Sequence, residues 1–390
     1  MTIQHLIETM ERIAPTRLAE PWDNIGLLVG QPDETLRGPV LLTIDLTEAV
    51  LDEAERASAG AIIAYHPPIF QPIKRIIGGE RAASGERVIY RAARAGLAVY
   101  SPHTALDACE GGLTDWLAEG CFPRTHPTPT DRPAPGGDVR ALRPALSARG
   151  QDFKIVTFIP NQHVEPVRSA LASAGAGIIG DYELCSHNSP GNGTFRGKPG
   201  TNPAIGKAGV FEQALEQRLE MVCSRRALAL ALTTLRGFHP YQEPAIDVYE
   251  LSPLPERAVG AGRRITLDHP CSLKELASRI KHHIGVAAVQ VAGDLDQMIH
   301  RIGVVPGAGA ALADEAAANE CQVFLTGEMK HHEVNALLAR GISVVLGGHT
   351  PTERGYLPRL AARLTTECTE PGLTCLVSAA DRDPLTIISS

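Results

Sequence analysis

Short apolar runs alternate with amphipathic segments along the first part of the chain. Continuous apolar runs of strand length lie at 39–45, 61–65 and 97–101. Between them, 48–57 and 81–95 carry apolar residues at helical spacing. Buried parallel strands are continuously apolar, and amphipathic helices cover the faces of such a sheet. The pattern therefore predicts an α/β fold with a parallel or mixed sheet.

The same alternation returns near the end of the chain. Ser272 opens a predicted helix over 272–284 and has Glu275 three residues on, the spacing of a capping box. The elements that follow alternate, with strands at 302–306, 322–326 and 342–346 and helices at 310–319 and 331–340. The two flanks are therefore predicted to be similar α/β halves of one domain.

The segment between the flanks has a different pattern. Its predicted order is strand, helix, two strands around a Gly/Pro-rich loop at 189–200, a helix near 224–235 and a last strand, which is the βαββαβ order of ferredoxin-like folds. Pro-rich stretches lie on both sides of it and interrupt regular structure. The predicted organisation is a first half over 1–125, a Pro-rich linker over 126–150, an insert over 151–252 and a second half over 253–390.

Composition and charge argue against several classes of protein. The chain has 37 Lys+Arg against 44 Asp+Glu, a net charge of -7, which argues against a nucleic-acid partner because such proteins present a basic face. We find no secretory signal, and the longest apolar run, around 227–232, is too short for a membrane span. The eight cysteines form no C-x-x-C pair, so we expect neither disulfides nor a cysteine zinc site. These features predict a cytoplasmic protein that does not contact a membrane.

Three segments with candidate metal ligands directly follow predicted strands. One contains Tyr65 and His66, the next contains Asp107, and the last contains His349 and Glu353 at i and i+4. Ligands collect at the carboxyl ends of strands in open α/β sheets. Imidazole and carboxylate groups suit zinc, manganese, iron, nickel or cobalt, and a carboxylate can bridge two ions. A lone His or Asp at a strand end more often makes a hydrogen bond or a cap, so only the combination of segments favours a metal site.

Other polar residues of these segments have two interpretations each. They could orient a metal ligand or contact a substrate, or they could be only solvated or paired with a neighbouring charge. These residues are His103, Glu328, His331, His332 and Arg354. Asp23, near the start of the chain, is interpreted as a residue that shapes a turn.

Together the segments resemble the NIF-three-like dinuclear metal-centre family, whose members are also called GTP cyclohydrolase I type 2 homologues. The resemblance extends from 21–28 to 381–385 and is most specific at 65–70, 101–107, 327–332 and 349–355. It implies subunits assembled as a trimer of dimers into a homohexameric ring. Some members carry an insert similar to the PII and CutA folds, which fits the order predicted for 151–252.

For the site, the resemblance implies metal ligation by His66, Asp107, His349 and Glu353, with Glu353 as the bridge. In a hydrolase, Glu353 or a nearby His would be the catalytic residue that moves protons. One position departs from the family pattern, because Tyr65 stands where many members have a first histidine. As a weak ligand, Tyr65 would have to lose a proton whose free pKa is about 10. We therefore expect one or two ions per subunit, with the second ion weakly bound or absent.

Two functions follow from this interpretation. The first is a metal-dependent hydrolase that uses metal-activated water on a small-molecule substrate, for which the family label suggests GTP or another nucleotide. The second is a non-catalytic metal-binding regulatory or scaffold ring protein, which the Tyr65 departure favours. DNA binding through the lumen of a ring is poorly supported by the net charge of -7.

Overall fold

The computed structural model describes residues 1–79, 83–123, 136–146 and 150–388. Two compact units divide the chain. The core unit comprises Met1–Ala145 and Glu256–Ser390, and the insert comprises Leu146–Pro255. None of the helices in the described ranges combines the length and the apolarity that a membrane span requires. All eight cysteines lie in those ranges and are free thiols.

The strands, in chain order, are β1 (Gly26–Val29), β2 (Val40–Thr43), β3 (Ala61–Ala64), β4 (Ala98–Ser101), β5 (Gly137–Leu146), β6 (Phe153–Pro160), β7 (His187–Arg196), β8 (Phe211–Cys223), β9 (Ile246–Glu250), β10 (Pro255–Ser272), β11 (Gln290–Ala292), β12 (Met298–Val304), β13 (Val323–Thr326), β14 (Ser343–Leu346) and β15 (Cys375–Val377). The helices are α1 (Ile3–Ile13), α2 (Glu48–Arg56), α3 (Ser84–Arg94), α4 (His103–Ala108), α5 (Leu113–Glu119), α6 (Val164–Ser173), α7 (Leu228–Phe238), α8 (Leu273–Ile284), α9 (Ala313–Ala318), α10 (His331–Ala339), α11 (Pro351–Arg354) and α12 (Leu357–Glu367).

The core unit contains two mixed sheets. The first has the order β1-β4-β3-β2-β15, in which β15, β2, β3 and β4 are parallel and β1 is antiparallel. The second has the order β11-β14-β13-β12-β10-β5, in which β12, β13 and β14 are parallel. Every residue of β2, β3, β4 and β13 is buried, as their continuous apolar runs predict. The predicted α/β fold is therefore confirmed.

Each sheet of the core unit contains one strand from the other flank of the chain. The late strand β15 pairs with β2 in the first sheet, and β5, which precedes the insert, completes the second sheet. One hydrophobic cluster includes Leu42 and Ile63 of the first sheet together with Ile302 and Val323 of the second. The flanks consequently fold as one unit, while the similarity of whole halves stays a prediction.

The predicted linker over 126–150 is interrupted by regular structure. Residues 137–146 form β5, in which Ala141 and Leu142 are buried, and Leu142 packs in a cluster with Phe324. Adjacent strand residues point to opposite faces, so β5 is covered on both faces at Ala141 and Leu142, despite Pro144 in its sequence. The rest of the predicted linker, apart from Gly136 and Gly150, lies outside the described residues.

The insert has the predicted ferredoxin-like order. Its strands form one antiparallel sheet, β7-β8-β6-β9, and the residues of α6 and α7 pack with β6 and β8 in one cluster. The predicted loop at 189–200 is wrong for most of its length, because 187–196 form β7. That strand lies at the sheet edge, where Pro190 removes no required donor. The predicted helix at 224–235 is shifted to Leu228–Phe238.

Candidate metal centre

Polar side chains that follow strands of both sheets of the core unit lie close together. His66 lies just after β3, and His103 begins α4, which follows the neighbouring strand β4. Glu328 and His349 follow the adjacent parallel strands β13 and β14. Glu353 lies in α11, a single turn that begins at Pro351. The carboxyl ends of the parallel strands therefore position the site, as the sequence indicates.

Three of the four predicted metal ligands converge. One donor atom from each of His66, His349 and Glu353 lies within 4.8 Å of the others. His66 Nε2 is 3.5 Å from Glu353 Oε2, and His349 Nε2 is 3.5 Å from Glu353 Oε1. Each imidazole thus faces a different oxygen of one carboxylate. This is the arrangement that a carboxylate needs to bridge two ions or to share one ion with two imidazoles.

The Glu353 carboxylate is buried, and its contacts do not fully replace the hydrogen bonds that it would make to water. The residue is 2% exposed, and among the described residues its Oε2 has no hydrogen-bond partner. A buried polar atom without a partner costs free energy, and a buried charge costs more. A cation held between the carboxylate and the two imidazoles would remove that cost. The donor set therefore fits a divalent metal ion.

Acidic side chains contact the Nδ1 atoms of His66 and His349, the ring nitrogens that do not face Glu353. His66 Nδ1 is 2.9 Å from Asp45 Oδ1, and His349 Nδ1 is 3.0 Å from Glu328 Oε1. Such partners fix the ring and leave Nε2 for a metal. Burial disfavours a charged His66, but the carboxylates of Asp45 and Glu353 outweigh burial and raise the pKa of His66 to about 10. The site therefore attracts positive charge.

Gly307 leaves the space in front of the cluster open. Its φ is +58°, and a Cβ at this position would lie 2.5 Å from Glu353 Oε1 and 3.2 Å from His349 Nε2. Its carbonyl accepts hydrogen bonds from the backbone N–H groups of Gly327 and Glu328, at 2.8 and 3.0 Å. Only glycine combines this backbone conformation with the absence of a side chain.

Asp107, the fourth predicted ligand, pairs with Tyr65 instead of joining the three converging donors. The Tyr65 hydroxyl donates to Asp107 Oδ1 over 2.8 Å, and Tyr65 is 2% exposed. Burial, with the neighbouring Asp107 charge, raises the pKa of Tyr65 well above its usual value. Burial also raises the pKa of Asp107 to about 7. Tyr65 is thus a hydrogen-bond donor here, and its role as a weak metal ligand stays a prediction.

His103 lies beside the cluster and is held by Asp23. Its Nδ1 is 2.8 Å from Asp23 Oδ1, and its ring centroid is 5.6 Å from that of His66. The backbone N–H of Thr104 donates to the other oxygen of Asp23 at 3.1 Å. His103 has a φ of +25°, a conformation that non-glycine residues rarely adopt and that often marks functional sites. Asp23 also accepts a bond from the Asn24 N–H, so it both shapes a turn and positions His103.

The remaining predicted helpers lie outside the group of converging donors. His331 and His332 are exposed on α10, where His331 Nε2 contacts the Asn335 amide at 3.1 Å. Arg354 Nη1 is 2.7 Å from Asp381 Oδ2. For Arg354, the structure therefore shows the carboxylate pairing that was one of its two interpretations.

Comparison with known proteins decides the family. The Duf34/NIF3 (NGG1p interacting factor 3) family matches residues 1–384. The chain belongs to this family. A GTP cyclohydrolase 1 type 2 homolog of Bacillus subtilis is 32% identical over 387 residues, which are 99% of this chain and 98% of the relative. NIF3-like protein 1 of Bos taurus is 29% identical over 397 residues, with 100% and 93% covered.

Solved structures agree with this membership. A Bacillus cereus protein related to NIF3 is 28% identical, with a TM-score of 0.67 over 100% of this chain and 99% of the other. A Staphylococcus aureus protein superposes with a TM-score of 0.77 over the same shares at 24% identity, and it supports the fold alone. The family resemblance of the sequence is therefore confirmed.

Sequence reasoning missed several residues that shape this NIF3-family site. Asp23 was interpreted only as a turn residue, and neither Asp45 nor Gly307 was singled out as a site residue, although each of the three contacts or makes room for a side chain of the candidate site. A signal existed for Asp45, which ends the apolar run 39–45 at the carboxyl end of a strand. No sequence pattern pairs Asp23 with His103, because the two residues are 80 positions apart.

Proposed function

We propose that this NIF3-family chain is a metal-dependent hydrolase whose ion is held by His66, His349 and Glu353. The observation that carries the proposal is the buried Glu353 carboxylate, which lies between two imidazoles and has an oxygen without a hydrogen-bond partner among the described residues. The chemistry that zinc, manganese, iron, nickel or cobalt supplies in such a site is Lewis-acid polarisation and a lowered pKa for bound water.

The surrounding residues have distinct roles in this proposal. Asp45 and Glu328 orient the two ligand imidazoles through their Nδ1 atoms. His103, whose Nδ1 faces Asp23, has Nε2 left to accept or deliver a proton during hydrolysis. A histidine whose outer nitrogen is fixed by a carboxylate is a common arrangement for general acid–base catalysis.

An exposed pair of aromatic rings supports a flat, ring-containing substrate. Trp22 and Phe70 are 60% and 47% exposed, and their centroids are 6.0 Å apart. The Trp22 ring lies 6.1 Å from the ring of His103. Aromatic side chains stack on heteroaromatic rings. We therefore propose a nucleotide substrate, as the GTP cyclohydrolase names of the relatives suggest, with attack on a ring carbon or on a phosphoester.

Metal-stripped protein should be reloaded with each of the five metals and tested for turnover of GTP and of a generic phosphoester. We expect turnover only with metal, and we expect the His66→Ala and Glu353→Ala variants to lose both bound metal, measured by elemental analysis, and turnover. His331→Ala, an exposed histidine outside the cluster, is the matched control and should retain both. Equal turnover in chelated and reloaded protein would contradict the proposal.

A second candidate is a non-catalytic metal-binding regulatory or scaffold protein. The hydrogen bond from Tyr65 to Asp107 favours it, because this bond engages a carboxylate that a two-ion mechanism would use. Stoichiometric metal binding without turnover of either substrate under any metal would favour this candidate over the hydrolase.

We also propose that the chain forms a homohexamer, a trimer of dimers, in a reducing compartment such as the cytoplasm. The family resemblance supports the assembly, and so do large exposed apolar side chains such as Tyr182 (77%), Phe211 (69%) and Leu215 (80%). Free cysteines support the compartment. Light scattering on the purified protein tests the assembly, with six times the chain mass of 41.6 kDa expected.

A further inference from the structure

We propose that the insert carries a second binding site, which takes a small molecule with a cationic amino group on an aromatic body. The site is a cavity of about 640 Å³ that is lined by insert residues alone. This volume lies within the range of about 300–1,000 Å³ that is typical of small-molecule sites. The proposal goes beyond hydrolysis at the metal centre and does not depend on it.

Two glycines in β7 create room for a ligand. Gly191 is paired with Glu216 of β8, and Gly193 is paired with Ala214. A Cβ at Gly193 would lie 2.1 Å from Glu216 Oε2, whereas a Cβ at Gly191 would have none of the described atoms within 4 Å. Glycine weakens a strand and often marks the close approach of a ligand or another backbone. The Gly191 position therefore opens into the cavity, and Gly193 makes space for the Glu216 carboxylate.

Glu216 supplies a negative charge in the cavity lining. The Tyr241 hydroxyl donates to its Oε1 over 2.5 Å, which leaves Oε2 beside Gly193. Burial and the adjacent carboxylate raise the pKa of Tyr241, so the phenol remains a donor. Within the described part of the chain, Glu216 forms no ion pair. A cationic donor such as an ammonium group forms charge-assisted hydrogen bonds with such a carboxylate, which are about twice as strong as neutral ones.

Aromatic side chains line the cavity of the insert. Phe195 and Tyr241 have centroids 6.4 Å apart, and the Arg218 guanidinium lies 5.7 Å from the centroid of Phe158. Arg218 is already paired with Glu220, since its Nε is 2.7 Å from Glu220 Oε1. Aromatic faces attract cations and pack on aromatic bodies. Lys154 also pairs with Glu220, so the amino group of the ligand is assigned to Glu216, which accepts a hydrogen bond from Tyr241 and forms no ion pair in the described chain. The rings of Phe195 and Tyr241 would then pack on the aromatic body.

Titration calorimetry on the full chain tests the proposal with three probes of similar body, 2-phenylethylamine, 2-phenylethanol and 3-phenylpropionate. We expect saturable binding of the amine, with at least tenfold weaker binding of the alcohol and of the carboxylate. Equal binding of all three probes, tighter binding of the carboxylate, or binding of none would overturn the proposal.

Single substitutions test whether the amine binds in this cavity of the insert. Glu216→Gln should weaken amine binding at least tenfold, while Glu183→Gln, the same change at an exposed insert residue outside the cavity lining, should leave it unchanged. Gly191→Val should fill the open space at this position, where no described atom lies within 4 Å of the added Cβ, and thus tests the site even if Glu216→Gln does not fold. His66→Ala should not change amine binding, which separates this site from the metal centre. Unchanged binding in Gly191→Val, or loss of binding in Glu183→Gln alone, would show that the amine binds elsewhere.

Discussion

The hydroxyl of Tyr65 donates a hydrogen bond to Asp107 over 2.8 Å, beside the group of His66, His349 and Glu353. Tyr65 is itself fixed, because the Ser101 hydroxyl donates to its backbone carbonyl at 2.8 Å. Residue 65 thus supplies a buried phenol to a position next to the proposed metal ligands and binds one acidic side chain. The number of ions that the site binds should therefore depend on the residue at this position.

Replacing Tyr65 by histidine should raise the metal content from one ion per chain towards two. The new imidazole adds a ligand, and loss of the phenol releases Asp107. Tyr65→Phe is the matched control, because it releases Asp107 without adding a ligand, and it should stay near one ion. Elemental analysis of dialysed protein and anomalous scattering from crystals measure the content. Two equally occupied sites in the unaltered chain would contradict this account of Tyr65.

Gly307→Ala should abolish metal binding. The added Cβ would lie 2.5 Å from Glu353 Oε1, and a residue with a φ of +58° also pays a backbone cost of about 1 kcal/mol or more. Gly285→Ala is the control, since Gly285 has a φ of +72° but no atom of the described chain near its Cβ. Both variants should lose stability in chemical unfolding, and only Gly307→Ala should lose metal in calorimetry. Normal metal affinity in Gly307→Ala would show that the space it leaves is not needed.

Disrupting the pair of His103 and Asp23 should lower turnover without emptying the site. Removal of a positioned acid or base typically costs about 10²–10⁴ in rate. We expect a loss of this size in His103→Gln and a smaller loss in Asp23→Asn, whose amide oxygen still accepts a hydrogen bond from the imidazole but lacks the negative charge of the carboxylate. Asp33→Asn, a change at an exposed aspartate, should leave kcat unchanged. A parallel fall in metal content and kcat would instead indicate that His103 acts through metal binding.

The insert should lose stability in acid through Glu220. Hydrogen bonds from Arg218 and Lys154 lower the pKa of Glu220 to about 2 from 4.5. A group whose pKa is depressed on folding stabilises the native state above its unfolded pKa and loses that contribution as the pH falls towards its folded pKa. The stability advantage of the unaltered chain over Glu220→Gln should therefore be full at pH 7 and shrink below pH 4.5, as measured by urea unfolding. An advantage that is independent of pH would show that the two ion pairs do not stabilise the fold.

The sequence predicted the strand ends well, because buried parallel strands such as β3 and β14 are continuous apolar runs whose limits are sharp. It therefore placed His66 and His349 correctly at those ends. The hydrogen bonds of Asp45 and Asp23 to histidines of the candidate site depend on segments that meet only in the folded chain, so local sequence patterns do not contain them. The departure at residue 65 was visible in the sequence, whereas the bond that Tyr65 makes was not.

The error at 189–200 has a physical cause of a different kind. Gly191, Gly193 and Pro190 are typical of loops, and their density predicts one. An edge strand tolerates them, because one side of it has no partner strand, and the cavity beside β7 gives the glycines a further reason to be there. Composition alone does not distinguish such a strand from a loop.

The late position of β15 in the chain has a consequence for biosynthesis. Until Cys375–Val377 leave the ribosome, β2 presents an unpaired edge, and unpaired edges are sites of misassociation for a nascent chain. His349 and Glu353 also emerge late, long after His66. The proposed metal centre can consequently form only after the segment with His349 and Glu353 has been made, and a truncation before residue 375 would leave the first sheet with an open edge even though every proposed metal ligand had been made.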